Sequence, residues 1–153
     1  HPWISRWAGP TRDDQDIVVE SLSQMGLDAL MHRDVNSLSG GERRRVELAA
    51  TVAQNAQTIL LDEPVNHLDL HYQINLLQGA LTKWRAEGRA VVMVMHDLNL
   101  AIRFSDHLLC LCGDGSILQG ETSAVATTEN LSTLLRYPLQ ALTLGDRSFF
   151  IPA

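Results

Sequence analysis

The sequence predicts an α/β fold: a parallel sheet with flanking helices. Three observations lead there. Two short, continuous apolar runs, "TILLD" at 58–62 and "AVVMVM" at 90–95, have the length and the β-branched character of buried strands. Between them, a segment from about Leu70 to Ala86 is long enough for a helix and is closed by Gly88. A helix between two strands carries the chain back to the end of the sheet where the first strand began, which makes neighbouring strands parallel.

The remaining elements follow in order. Residues 14–30 place Ile17, Val18, Leu22, Met25, Leu27 and Leu30 near a helical period, with Asp13 or Asp14 as cap and Gly26 weakening the last turn. Residues 41–54 form a second helix with Val46, Leu48, Ala49, Val52 and Ala53 as its apolar set. Pro64 breaks the chain after the first strand. Residues 97–104 are a short helix with Asp97 as its cap. The runs 107–112 and 116–120 flank Gly113-Asp114-Gly115, a hairpin signal. The tail holds a helix near 128–136 and short strands at 140–144 and 147–151. There are no repeats and no low-complexity segment.

Composition narrows the class. The 153 residues are 45% hydrophobic and 20% charged, ordinary for a globular domain with a real core. The net charge of −6 argues against a nucleic-acid surface, which needs a basic face. No apolar run approaches the ~20 residues that span a bilayer. His1-Pro2-Trp3 has neither an initiator Met nor a signal-peptide pattern and reads as the start of a piece of something longer. Cys110 and Cys112 share a strand face, a poor geometry for a mutual bridge, and are expected as reduced core residues of a cytosolic protein. Trp3 and Trp7 are expected in packing rather than base stacking. His67 and His71, spaced i, i+4, lack an evident third ligand for a metal. Arg43-Arg44-Arg45 fan across about 200° of a helix and are expected as solvated or carboxylate-paired charge.

Chemistry concentrates at three points. "TILLDE" ends a buried strand in two carboxylates, at the sheet end where α/β folds bind ligands. Asp62 there suits Mg²⁺, which takes one or two carboxylates plus water and phosphate oxygens, and Glu63 suits the orientation of an attacking water. Taken alone, the pair is also what a strand turning into solvent looks like. His96 follows the second strand and is either an ordinary surface or core histidine or a hydrogen-bond donor to a phosphate. Ser39-Gly40-Gly41 opens the second helix. It is either a plain cap or an anion site, where unpaired amides and the helix dipole meet a phosphate and glycines allow close approach.

Together the motifs are more specific. "LSGGE" at 38–42, "ILLDEP" at 59–64, "NHLD" at 66–69 and "MHD" at 95–97 stand in an order that resembles the ATP-binding-cassette (ABC) ATPases. Leu38–Glu42 matches the family signature, Ile59–Glu63 the Walker B strand, 66–69 the D-loop with Asn where Ser is usual, and His96 the switch histidine. The resemblance implies a partial P-loop NTPase fold, with 1–36 as the end of a helical subdomain and 37–153 as the second half of the catalytic core with its C-terminal hairpin and helix.

It also implies roles. ATP and Mg²⁺ are the cofactors. Asp62 helps hold the metal through water, Glu63 polarises the attacking water and His96 contacts the γ-phosphate. Ser39, Gly40, Gly41 and Glu42 serve the nucleotide of a second ABC subunit paired head to tail, and Asp69 lies at that interface. "GLDALMHRDVNSLSGGERRRVELAATVAQNAQTILLDEPVNHLDL" is most similar to cassettes of iron-siderophore, haem and vitamin B12 importers. The implied partners are a membrane permease and, through it, a periplasmic binding protein, with no nucleic acid. The implied location is the cytoplasmic face of the inner membrane, as a peripheral subunit. Alternatives are a non-transport ABC ATPase of DNA repair, translation or Fe–S assembly, or a non-enzymatic interaction fragment.

One departure is large. The family's phosphate-binding loop, G-x-x-x-x-G-K-[ST], is absent from the sequence, and Lys83 is the only lysine. The Q-loop glutamine is absent too. Both are expected upstream of His1, so the chain is expected to bind ATP poorly alone, to leave part of its sheet uncovered, and to self-associate.

Overall fold

The computed structural model describes residues 10–66, 68–145 and 147–153. Trp3, Trp7 and the His67 half of the histidine pair lie outside the described residues. The chain divides into two units, His1–Val94 and Met95–Ala153.

The first unit begins with α1 (Arg12–Gln24). Its cap is Thr11, not Asp13 or Asp14. The Asp14 amide donates to Thr11 Oγ1 at 3.2 Å, and the Asp14 carboxylate accepts from the Thr11 amide at 2.9 Å. Thr and Asp three residues apart form a reciprocal box, which uses Asp14 inside the first turn. The helix stops well short of residue 30. Gly26 takes φ +63°, and 3₁₀ turns at Asp28–Leu30 and Val35–Ser37 follow. Next comes α2 (Gly40–Ala53), packed on α1.

Strand β1 (Thr58–Asp62) pairs in parallel with β2 (Ala90–Val94), Thr58 opposite Ala90 and Asp62 opposite Val94. The crossover is one long helical segment, as its length predicts: α3 (Leu70–Asn75), a π turn at Leu76–Ala80, and α4 (Leu81–Ala86). The unit buries Leu48, Ala49 and Val52 of α2, Ile59 and Leu61 of β1, and Leu76, Leu77, Ala80 and Trp84 of the crossover.

Part of the sheet is left uncovered, as expected, and β1 is therefore not a strand buried on both faces. Its burial alternates, with Ile59 and Leu61 inside while Leu60 is 69% exposed; opposite it, Val92 is 57% exposed. A parallel strand reads as a continuous apolar run because both faces are meant to be covered, and here only one is.

The second unit starts with α5 (Leu98–Phe104), capped as predicted by Asp97, which accepts from the Leu100 amide at 2.9 Å. Strands β3 (His107–Leu111) and β4 (Ile117–Glu121) form the expected hairpin, with Gly115 at φ +86° in its turn. The hairpin is a two-stranded sheet among the described residues. Then come α6 (Thr122–Val125), α7 (Thr128–Leu135) and the antiparallel pair β5 (Leu139–Leu144) and β6 (Arg147–Pro152). Leu131, Leu139 and Phe150 form the core, with Leu98, Ile102, Ala126 and Leu134 against it. Asn99 clips α5 to β6, accepting from the Phe150 amide at 2.9 Å and donating to its carbonyl at 3.1 Å. Cys110 and Cys112 are free and half-buried, and burial, with Cys112 adding a smaller effect, pushes the Cys110 thiol up. No helix among the described residues is long and apolar enough to cross a membrane.

Leu60, Val92 and Val94 leave an apolar strip on one face of the parallel pair, the kind of surface that drives association. The chain is therefore expected to elute above its monomer mass in size-exclusion with light scattering. Leu60→Glu should shift it toward monomer; a wild-type chain already monomeric at high concentration would show that the strip drives nothing.

Candidate functional site

The site is built where β1 ends and α2 begins. Gly40, Arg43, Arg44, Glu47, Asp62, Glu63 and Asn66 line an open cleft of about 400 Å³. Strand alternation places Asp62 on the exposed face with Thr58 and Leu60, so its carboxylate enters the cleft rather than the core. Glu63 then leaves the strand in the left-handed region, at φ +48°, followed by the buried Pro64.

The start of α2 is a capping box. The Ser39 hydroxyl accepts from the Glu42 amide at 3.3 Å, and the Glu42 carboxylate accepts from the Ser39 amide at 2.7 Å. The Ser39 amide is thus occupied and drops out of the expected row of bare amides. Ser and Glu three residues apart carried that signal in the sequence. Among the described residues a Cβ at Gly40 would meet nothing within 4 Å, so no contact among them requires glycine there. The bonds to Ser39 hold the Glu42 carboxyl below the ordinary range.

The triple arginine departs most from expectation. Arg44 does pair with a carboxylate, Glu47 Oε2 at 2.9 Å, but its other nitrogen donates to the carbonyls of Asp62 and, at 3.0 Å, Glu63. Arg45 is not solvated: it is 7% exposed, donates to the Met25 and Gly26 carbonyls at 3.0 Å each, and stacks 3.9 Å over the Tyr72 ring. Positions 45, 48, 49 and 52 share one helix face, so Arg45 sits on the apolar stripe, a signal the sequence contained.

Asn66, read from the sequence only as the first residue of the D-loop-like stretch, also contacts Glu63. Its side-chain amide donates to the Glu63 carboxylate and its backbone amide to the Glu63 carbonyl at 3.2 Å. Gln73 reaches back to the Val65 and Leu68 carbonyls at 3.3 and 2.9 Å, holding the loop between. Asp69 caps α3, accepting from the Tyr72 amide at 3.1 Å. His96, exposed, belongs to the second unit. The structure thus brings Gly40, Asp62 and Glu63 to one cleft, with Ser39 and Glu42 closing the helix start beside it.

Known proteins resemble this chain in sequence and in fold. The family model for ABC transporters matches residues 5–66. The achromobactin transport ATP-binding protein of Dickeya dadantii (strain 3937) is 35% identical over 150 residues, 98% of this chain and 54% of that protein. The cobalamin import ATP-binding protein of Halobacterium salinarum (strain ATCC 29341 / DSM 671 / R1) is 42% identical over 117 residues, covering 76% and 29%. A solved metal-chelate type ABC transporter in an inward-facing conformation superposes with a TM-score of 0.84 at 30% identity, over 98% of this chain and 61% of that one. The fold is that of an ABC ATPase cassette, a P-loop NTPase. The chain belongs to the ABC-transporter ATP-binding family. It spans about half the length of the curated relatives it matches.

Two outcomes follow. Glu42 has a folded-state pKa lowered from its unfolded value, so its contribution to capping is present above the usual carboxylate range and is lost as pH falls through the folded value. Urea denaturation of Glu42→Gln should show a weaker loss of stability on acidification than the wild type. Arg45→Met should cost about 1–3 kcal/mol, because two carbonyls lose their donor; a change within error in urea would show that water replaces it.

Proposed function

We propose that the chain carries the ATP-hydrolysing machinery of an importer subunit of the iron-siderophore, haem or cobalamin type. The observation that supports this most is the cleft, where a glycine-opened helix start and the two carboxylates ending β1 face the same space. Asp62 is an exposed carboxylate there, and one such ligand suffices for Mg²⁺ beside phosphate oxygens. The metal, when bound, neutralises charge on the phosphates. Glu63 orients the attacking water, and His96 donates to the terminal phosphate.

Ser39, Gly40 and Gly41 present the positive end of α2 to the nucleotide of a second cassette, and the open space at Gly40 fits a partner approaching from outside. Glu42 serves that site by holding the helix start in place. Asp69 lies at the same head-to-tail interface. Residues 1–36 belong to a helical subdomain and 37–153 to the second half of the catalytic core. The further partners are a membrane permease and, through it, a periplasmic binding protein, with the subunit peripheral on the cytoplasmic face of the inner membrane. The names of the achromobactin and cobalamin relatives support the substrate class.

No G-x-x-x-x-G-K-[ST] stretch is present in the sequence, so the chain alone is expected to show no ATP turnover. Fused behind the remaining portion of a relative, it should turn over, and Glu63→Gln should then lower kcat by about 10²–10⁴-fold. Normal turnover by the chain alone, or an unaffected Glu63→Gln fusion, would overturn the corresponding part of the proposal.

A further inference from the structure

Glu63 is held at more points than a strand end requires. Its amide donates to the Val94 carbonyl at 3.0 Å, at the end of β2. Its carbonyl accepts from the Asn66 amide at 3.2 Å and from Arg44 Nη2 at 3.0 Å. Its carboxylate accepts from Asn66 Nδ2. Its φ of +48° lies where a non-glycine residue stays only when its surroundings impose it.

An exposed Arg44–Glu47 pair at i, i+3 would account for the charge of Arg44 and would contribute little. It does not account for the reach of Arg44 across to two successive carbonyls at residues 62 and 63, eighteen and nineteen positions away. Likewise, Asn66 needs only its backbone amide to close the turn. Its side chain is spent on the carboxylate.

We propose that Arg44 and Asn66 are positioning residues for Glu63. Arg44 fixes the main chain, so that the Cα–Cβ bond of Glu63 points into the cleft. Asn66 fixes the carboxylate, limiting its rotation about the side-chain bonds. A carboxylate that orients a water acts only from a narrow range of positions, so this restraint matters for the reaction. The role rests on the reading of Glu63 as the water-orienting group. It also gives a use to the asparagine that stands where the family usually has Ser: a hydroxyl is shorter and carries one donor, so Asn66→Ser should hold the carboxylate less well.

The test uses the isotope-labelled full chain and no nucleotide, reading the side-chain couplings of Glu63 by NMR together with amide exchange. Wild type should show one Glu63 rotamer. Asn66→Ala should average it, and Asn66→Ser should do so partially, with Glu63 amide exchange unchanged. Arg44→Met should speed exchange at Glu63–Asn66 by about tenfold or more, with Arg44→Lys restoring it. A merely structural role would speed exchange across the whole first unit together. A single rotamer in Asn66→Ala overturns the Asn66 half, and unchanged or uniformly faster exchange in Arg44→Met overturns the Arg44 half. If the rotamer and exchange respond but the Glu63→Gln fusion keeps its turnover, the reading of Glu63 falls. If turnover collapses while Glu63 stays fixed in every variant, only the positioning roles fall.

Discussion

The chain leaves β1 through Glu63 in the left-handed region, immediately before the buried Pro64, and the first unit is arranged around holding that turn. A non-glycine residue with positive φ costs about 1–3 kcal/mol, and a following proline restricts it further. The conformation persists because strand, helix and loop all hold it. The end of β2 takes its amide, α2 sends Arg44 to its carbonyl, and the loop returns Asn66 to both ends of the residue. The same turn swings Glu63 out of the strand line and into the cleft.

Helix α2 is the member that connects this turn to everything else. Arg44 and Arg45 are adjacent and point about 100° apart, so one helix reaches two places at once. Arg44 ties it to the end of β1. Arg45 ties it to the end of α1, where Gly26 at φ +63° turns two carbonyls toward the guanidinium, and to Tyr72 on α3. The start of the helix is thereby tied to the rest of the unit, although among the described residues nothing lies within 4 Å of a Cβ added at Gly40. A mobile helix start would be a poor anion site, since ordering it would consume the binding energy it offers.

Much of this was legible beforehand. Strand–helix–strand order, the hairpin at Gly113–Gly115, the Asp97 cap and the order of the four motifs all rest on local chemistry: backbone preference, turn residues and hydrogen bonds three residues apart. The misses share a different cause. "TILLD" reads as a strand covered twice, but the apolar run records the environment a strand is suited to, not the neighbours it has, and Leu60 lies open. The arginines read as surface charge by their identity, whereas helical phase puts Arg45 on the stripe of Leu48, Ala49 and Val52. Ser39 and Glu42 are a different case: their spacing spells the capping box that the structure shows, and the ligand reading stays a proposal beside it.

What the sequence determined by itself was the inventory: an α/β chain of this family, with Asp62 and Glu63 at a strand end and glycines at a helix start. Periodicity, caps and motif order are short-range properties, and short-range properties survive in one dimension. What only the tertiary structure decided was which groups hold Glu63. Arg44 meets its carbonyl across nineteen residues, and Asn66 meets its carboxylate only because the turn at φ +48° folds the loop back. Neither contact has a periodic signature; each exists because packing brings distant parts of the chain to the same few ångströms.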